Sequence, residues 1–190
     1  MKWQIFLIKW MKRAKRDQEL KETSFQQSLV SARDRLILPK DTTNMPMNNA
    51  IFADTWALLA LANRRDSFHS AASISYESIV ERSFSLVISD YVLDETITAL
   101  FKEVRFDEAA KFVQALLEAT DSGQIALERI DEERFRSAWL LRKIYRDKPD
   151  ISFTDLSSFV VMKELGITKA FTGDIHYEQV GLGFEIMPKR

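Results

Sequence analysis

From residue 48 onward, short apolar runs alternate with longer amphipathic stretches, which predicts strands and helices in turn. Ala50-Ile51-Phe52-Ala53 is a continuous apolar run closed by Asp54, as in a short buried strand. Thr55–Ala62 (TWALLALA) reads as helix. A second helix, with Ser67 as its cap, carries Ala71, Ile74 and Ile79 on through Val80. Phe84–Ile88 is the next strand, and Ser89 and Asp90 offer N-cap side chains for a helix with Leu93, Ile97, Leu100 and Phe101 at helical spacing. A helix over 107–119 sets Ala109, Phe112, Val113 and Leu116 on one face and stops at Gly123. Gln124–Ile130 reads as a third strand. Residues 131–146 return to helix, with Phe135, Ala138, Trp139 and Leu141 to Tyr145 supplying bulk, and Pro149 ends that segment. Ser152-Phe153-Thr154-Asp155 opens a helix that runs to Leu165 and is stopped by Gly166. Thr168–Thr172 is a strand, Gly173-Asp174 a turn and Gly183–Met187 a last short strand. Strands alternating with helices define an α/β domain with a mostly parallel sheet.

The first 47 residues do not share this rhythm. Residues 38–49 (LPKDTTNMPMNN) are rich in turn formers and read as a linker. This divides the chain into a basic, aromatic extension with its linker over 1–47 and a regular domain over 48–190. Residues 1–16 combine Trp3, Ile5, Phe6, Leu7, Ile8 and Trp10 with six Lys or Arg and no acid. Three readings stay open: a basic amphipathic helix that touches a membrane surface, an acidic partner or RNA; a weakly ordered tail; or a true translation start at Met45 or Met47. Ile5–Ile8 is far shorter than the ~20 apolar residues needed to span a bilayer. The same run is too short for a signal-peptide core and no small-residue cleavage site follows it, so neither membrane insertion nor secretion is expected.

Composition refines the picture in two ways. The chain has no cysteine, which excludes disulfides, thiolate metal sites and cysteine nucleophiles together and fits a reducing cytoplasm. Charge is unevenly divided: residues 1–47 hold ten Lys/Arg against five Asp/Glu, while the remainder holds 17 against 23. An acidic body argues against a broad electrostatic grip on nucleic acid but not against an acidic site that holds cations.

Four carboxylates fall where such a fold does its chemistry. In an open parallel sheet, ligands sit beyond the carboxyl ends of the strands, near the topological switch point. Asp54 ends the first strand and Asp174 follows the strand that ends at Thr172. Glu95, off the apolar face set by Leu93 and Ile97, and Asp155 lie in the first turns of their helices. Each also has an ordinary role: Asp54 can cap the helix from Thr55, Asp155 can complete a capping box with Ser152, Asp174 can cap a turn, and Glu95 can be a solvated helix residue like Asp94. Jointly they carry more weight. Four carboxylates in one crevice repel one another, and without a cation at least one pKa is forced up. Hard oxygen ligands suit Mg²⁺ or Mn²⁺, and the matching chemistry is metal-assisted phosphodiester hydrolysis.

The stretches FADTWALLAL, LVISDYVLDETITAL, SFTDLSSFVVMKELGI and KAFTGDIHYEQVGLGFEIMP closely resemble the PIN domain, in its VapC-like form from toxin–antitoxin pairs. The resemblance covers about residues 48–190, and its last two motifs are the most specific. It implies a three-layer α/β/α sandwich, a Mg²⁺ or Mn²⁺ site, endoribonuclease activity on an RNA substrate, a homodimer, and inhibition by a cognate antitoxin laid across the site. Carried over by position, Asp54, Glu95 and Asp155 resemble the principal metal ligands and catalytic acids, and Asp174 the fourth acid. Thr55 and Thr172 fall where the family often places a hydroxyl near the site. The extension over 1–47 departs from the family pattern. Arg142, Lys143, Arg146 and Lys148 form the best local basic cluster, either a solvated helix face or a phosphate contact.

Other readings make distinct demands. A metal-free nuclease would use His69 and His176 as a general acid–base pair. A catalytically inactive PIN-like module would bind only a protein partner or RNA, yet has no need of four mutually repelling acids. A phosphatase-like fold usually needs a second aspartate two residues after the first, where this chain has Trp56.

Overall fold

In the computed structural model, residues 49–188 are described. The expectations for residues 1–47 fall outside them. Five strands form one sheet: β1 (Ala50–Ala53), β2 (Ser85–Ser89), β3 (Ile125–Glu128), β4 (Lys169–Phe171) and β5 (Glu185–Met187). Their order is β3-β2-β1-β4-β5 and every neighbouring pair is parallel. Among the described residues there are seven helices: α1 (Thr55–Ala62), α2 (His69–Glu81), α3 (Asp90–Glu103), α4 (Phe106–Asp121), α5 (Glu132–Ile144), α6 (Phe153–Leu165) and α7 (His176–Gln179). The parallel sheet is the one expected from the alternation, and the three-layer α/β/α sandwich is the one the resemblance implies. Among the described residues, no helix is long and apolar enough to cross a membrane.

Strand order fixes where the site must be. The chain builds outward from β1 through β2 to β3, then returns to place β4 on the other side of β1. The switch point of the sheet therefore lies between the carboxyl ends of β1 and β4. Register makes these ends level: Ala53 pairs with Phe171, so Asp54 and Thr172 leave the sheet side by side. The Asp54 N–H still donates to the Phe171 carbonyl at 3.1 Å, which extends the ladder to the first site residue. All four residues of β1 are buried, as a central strand covered on both faces requires.

Several local expectations are corrected. Ser67 does not cap α2. The preceding turn is closed by Asp66, whose carboxylate accepts the Phe68 N–H at 2.7 Å, and Phe68 takes the cap position without a side-chain bond. Ile74 and Val80 point outward on α2, and Ala72, Ser75 and Ile79 are its buried residues. Phe101 of α3 and both Phe135 and Trp139 of α5 are exposed rather than core. β1 matches its apolar run, while β3, β4 and β5 are shorter than the runs that mark them and β2 starts at Ser85, one residue after Phe84. The four-residue α7 was not foreseen.

One glycine is required by contact. A Cβ on Gly173 would stand 2.5 Å from the Trp56 indole, so the turn carrying Asp174 reaches its place only because Trp56 can pack directly on bare backbone.

Candidate active site

Asp54 is the N-cap of α1: its Oδ1 accepts the Thr55 N–H at 2.7 Å. Its Oδ2 accepts the Thr172 hydroxyl at 2.8 Å, across the switch point. Thr172 Oγ1 in turn accepts the Asp174 N–H at 2.9 Å. On the other side, Thr55 Oγ1 donates to Glu95 Oε2 at 2.7 Å. Two threonines thus tie three acids from three parts of the chain into one hydrogen-bonded arc. Both are buried, and neither hydroxyl adds charge.

Asp155 joins from α6. Ser152 caps that helix: the Asp155 N–H donates to Ser152 Oγ at 3.0 Å and Asp155 Oδ2 accepts the Ser152 N–H at 2.8 Å, a complete capping box. The ordinary roles of the acids are therefore real. Asp54 and Asp155 cap helices, Asp174 Oδ1 accepts the His176 N–H at 2.9 Å, and Glu95 alone of the four serves no turn or cap, its bond coming from the Thr55 hydroxyl. A cap and a site residue make compatible demands, because each points a carboxylate out past the start of a helix.

Electrostatics show the acids acting on one another. Asp54 is 4% exposed, and its pKa is raised from an ordinary 3.8 to about 7, first by burial and then by the charge of Asp155, with Asp174 adding to it. The Thr172 and Thr55 hydrogen bonds oppose that rise without cancelling it. Asp155 is 8% exposed and is raised to about 6 by burial, then by the charges of Asp174 and Glu95 and against the bonds from Ser152. The charges that act most on both groups are those of other carboxylates.

A divalent cation fits this chemistry. Burial and mutual repulsion are what a hard cation relieves, and oxygen donors are what Mg²⁺ or Mn²⁺ selects. Among the described residues, however, no group of three or more His, Cys, Asp or Glu side chains stands arranged to hold a metal ion directly. The fit is thus to an ion that takes few carboxylates and keeps much of its water.

Sequence reasoning missed Tyr177. It is fully buried, and its hydroxyl pKa is pushed well above the usual value by burial and then by the charges of Asp54 and Asp155. Its hydroxyl completes no well-formed hydrogen bond. Ser158, whose hydroxyl donates to the Thr154 carbonyl at 2.9 Å, is the nearby acceptor and opposes that rise. The only available signal was position, three residues after Asp174. The two histidines are engaged separately: His69 Nδ1 donates to the Ala60 carbonyl at 2.8 Å, late in α1, while His176 Nδ1 lies 2.9 Å from Asp174 Oδ1. Of the basic cluster, Arg142 is committed elsewhere, as its guanidinium clips the carbonyls of Tyr145, Lys148 and Ile151.

A parallel α/β/α sandwich with four acids around its switch point has the layout of a phosphodiester-cleaving domain. The PIN domain family model matches residues 51–182, and the chain belongs to the PIN domain family. It is similar to the 23S rRNA-specific endonuclease VapC20 of Mycobacterium tuberculosis, in strains CDC 1551 / Oshkosh and ATCC 25618 / H37Rv. Identity to each is 30% over 139 residues, covering 73% of this chain and 99% of the relative. Among solved structures it is similar to the crystal structure of M. tuberculosis VapC20, a sarcin-ricin loop cleaving toxin. That match has 27% identity and a TM-score of 0.61, and covers 70% of this chain and 95% of the other.

Proposed function

We propose that this protein is a Mg²⁺- or Mn²⁺-dependent endoribonuclease and the toxin of a toxin–antitoxin pair. The observation that carries the reading is the acid cluster at the switch point, where Asp54 is raised to about 7 amid other carboxylates. The similarity to VapC20 supports the choice of RNA and makes 23S rRNA the first substrate to test. It also supports a cognate antitoxin as partner; we extend the reading to a homodimer acting in the cytoplasm.

Asp54, Glu95 and Asp155 would hold the cation, in part through the water it retains, with Asp174 acting on it through water. The bound cation would supply charge neutralisation for the scissile phosphate and a lowered pKa for the attacking water. The chain's own contribution is positioning. Thr172 fixes the Asp54 carboxylate and the Asp174 backbone at once. Thr55 holds Glu95, and the capping box holds Asp155. Four acids pinned to the starts of helices and the ends of strands need little rearrangement during reaction.

The test is cleavage of mixed cellular RNA and of a 23S rRNA fragment by the purified chain with Mn²⁺ or Mg²⁺, alongside EDTA and Asp54→Asn controls. Cleavage lost in both controls is the expected result. Cleavage that survives EDTA would overturn the metal mechanism and return attention to His69 and His176. No cleavage by folded, inhibitor-free protein would favour a module that binds a partner without catalysis.

A further inference from the structure

Beside the acids runs a row of four aromatic rings, of which Tyr91 and Phe153 are half-buried and Phe135 and Trp139 are exposed. Tyr91 lies in the first turn of α3, four residues before Glu95, and Phe153 opens α6, two residues before Asp155. Their ring centroids are 6.5 Å apart. Phe153 is followed by Phe135 of α5 at 5.0 Å. Phe135, Trp139 and Lys143 are spaced four residues apart on α5, so they share one stripe of that helix. Lys143 Nζ stands 5.5 Å from the Trp139 ring centroid. Phe135 is 46% and Trp139 51% exposed. Two large aromatic side chains left about half in water, continuous with two more that reach the acids, mark a contact surface.

We infer that Tyr91, Phe153, Phe135 and Trp139 form a base-stacking track for single-stranded RNA, leading from the acid cluster along α5 to Lys143. The inference rests on the ribonuclease reading and names how that site grips its substrate.

Three observations favour RNA as the occupant. The track begins within a turn of two of the acids, so a strand lying on it enters where a phosphate would be cut. Phe135 and Trp139 keep about half of their surface in water, so ring faces stay open to a base. A cation also stands at the far end, where Lys143 Nζ sits over the Trp139 ring. At the near end Arg136 pairs with Glu132, which offsets that acid. Stacking eases the problem set by an acidic body: every base presents a π face, so rings add grip that a broad basic surface would otherwise have to supply.

The test uses the full-length protein, a mixed-sequence single-stranded oligoribonucleotide, and Phe135→Ala, Trp139→Ala and Trp139→Phe. Each alanine variant is expected to raise KM roughly five- to hundredfold, the range for loss of one stacked base, with kcat within a few-fold and Trp139→Phe close to wild type. Binding of the same oligonucleotide in EDTA, followed by fluorescence anisotropy, should weaken in parallel. That arm stands even if no RNA is cleaved, so it separates failure of the track from failure of the ribonuclease reading. Thermal melting checks that the variants are folded. Unchanged KM and unchanged RNA binding would overturn the track. So would variants whose only defect is altered self-association or loss of a protein partner, which would assign the rings to a protein interface.

Discussion

Asp54 carries opposed demands. As a helix cap and hydrogen-bond acceptor it is favoured as a carboxylate, yet burial and its acidic neighbours raise its pKa to about 7. The sign of the consequence follows. A carboxyl with a folded pKa above its unfolded value binds more protons in the folded state, so stability is present at low pH and falls as pH rises through the window between the two. For Asp54 that window runs from 3.8 to about 7 and for Asp155 from 3.8 to about 6. Without divalent cation, the fold should lose stability between these limits, with Asp54 accounting for roughly 4 kcal/mol at most. Asp54→Asn removes that charge and should raise Tm in EDTA at about pH 8 by about 5 °C, with much less gain at about pH 5, while abolishing cleavage. Melting curves at the two pH values check it, and a fall in Tm at about pH 8 would mean that the carboxylate is held ionised at no cost. Thr172 gives a second prediction. Thr172→Val leaves the Asp54 Oδ2 and the Asp174 N–H without their shared partner and should cost about 1–3 kcal/mol and lower kcat more than it raises KM. Thr172→Ser keeps the hydroxyl and should recover most of the activity, as steady-state kinetics on the pair would show.

At the scale of elements, the parts that could be read from the sequence are those set by nearest neighbours. The Asp54 cap and the bounds of α1 follow from one acid meeting one apolar run, and the start and stop of α6 follow from Ser152, Asp155 and Gly166. The four acids could be placed because strand ends and first turns face one crevice in any parallel sheet. What could not be read depends on tertiary partners. Periodicity shows that Phe135 and Trp139 belong to a helix but not whether another layer covers them, and α7 is too short to have a period. Arg142 shows the same limit: from spacing it joins a basic cluster, while in the fold it satisfies three carbonyls in the segment between α5 and α6. That clip sets the path into the Ser152 cap and so the aim of Asp155. Arg142→Ala should cost roughly 2–3 kcal/mol, since charged hydrogen bonds are lost and part-buried carbonyls are left unpaired. It should also lower kcat through Asp155, with little change in RNA affinity in EDTA. Weakened RNA binding with unchanged stability would instead make Arg142 a phosphate contact.

For the whole molecule, the balance of charge decides how substrate is held. Residues beyond 47 carry 17 Lys/Arg against 23 Asp/Glu, so the domain repels RNA at long range while drawing in divalent cations. A nucleic-acid binder that neutralises six to ten phosphates loses roughly 10³- to 10⁵-fold in affinity between 50 and 200 mM salt. Stacking releases few counterions, and a grip made of the ring track with Lys143 and one or two neighbouring cations should be far less sensitive. With about two phosphates neutralised on a single strand, the slope of log affinity against log salt is near −1.4, and KM should rise less than about tenfold over the same range. Measuring KM against KCl at fixed Mn²⁺ tests this on the full chain. A shallow slope would make aromatic contact the main source of affinity and leave charge to act at the cleaved phosphate. A steep slope would move the grip to the ten Lys/Arg of residues 1–47, the one stretch whose charge is large enough to produce it, and the extension would then be the part of the chain that delivers RNA to an acidic catalytic domain.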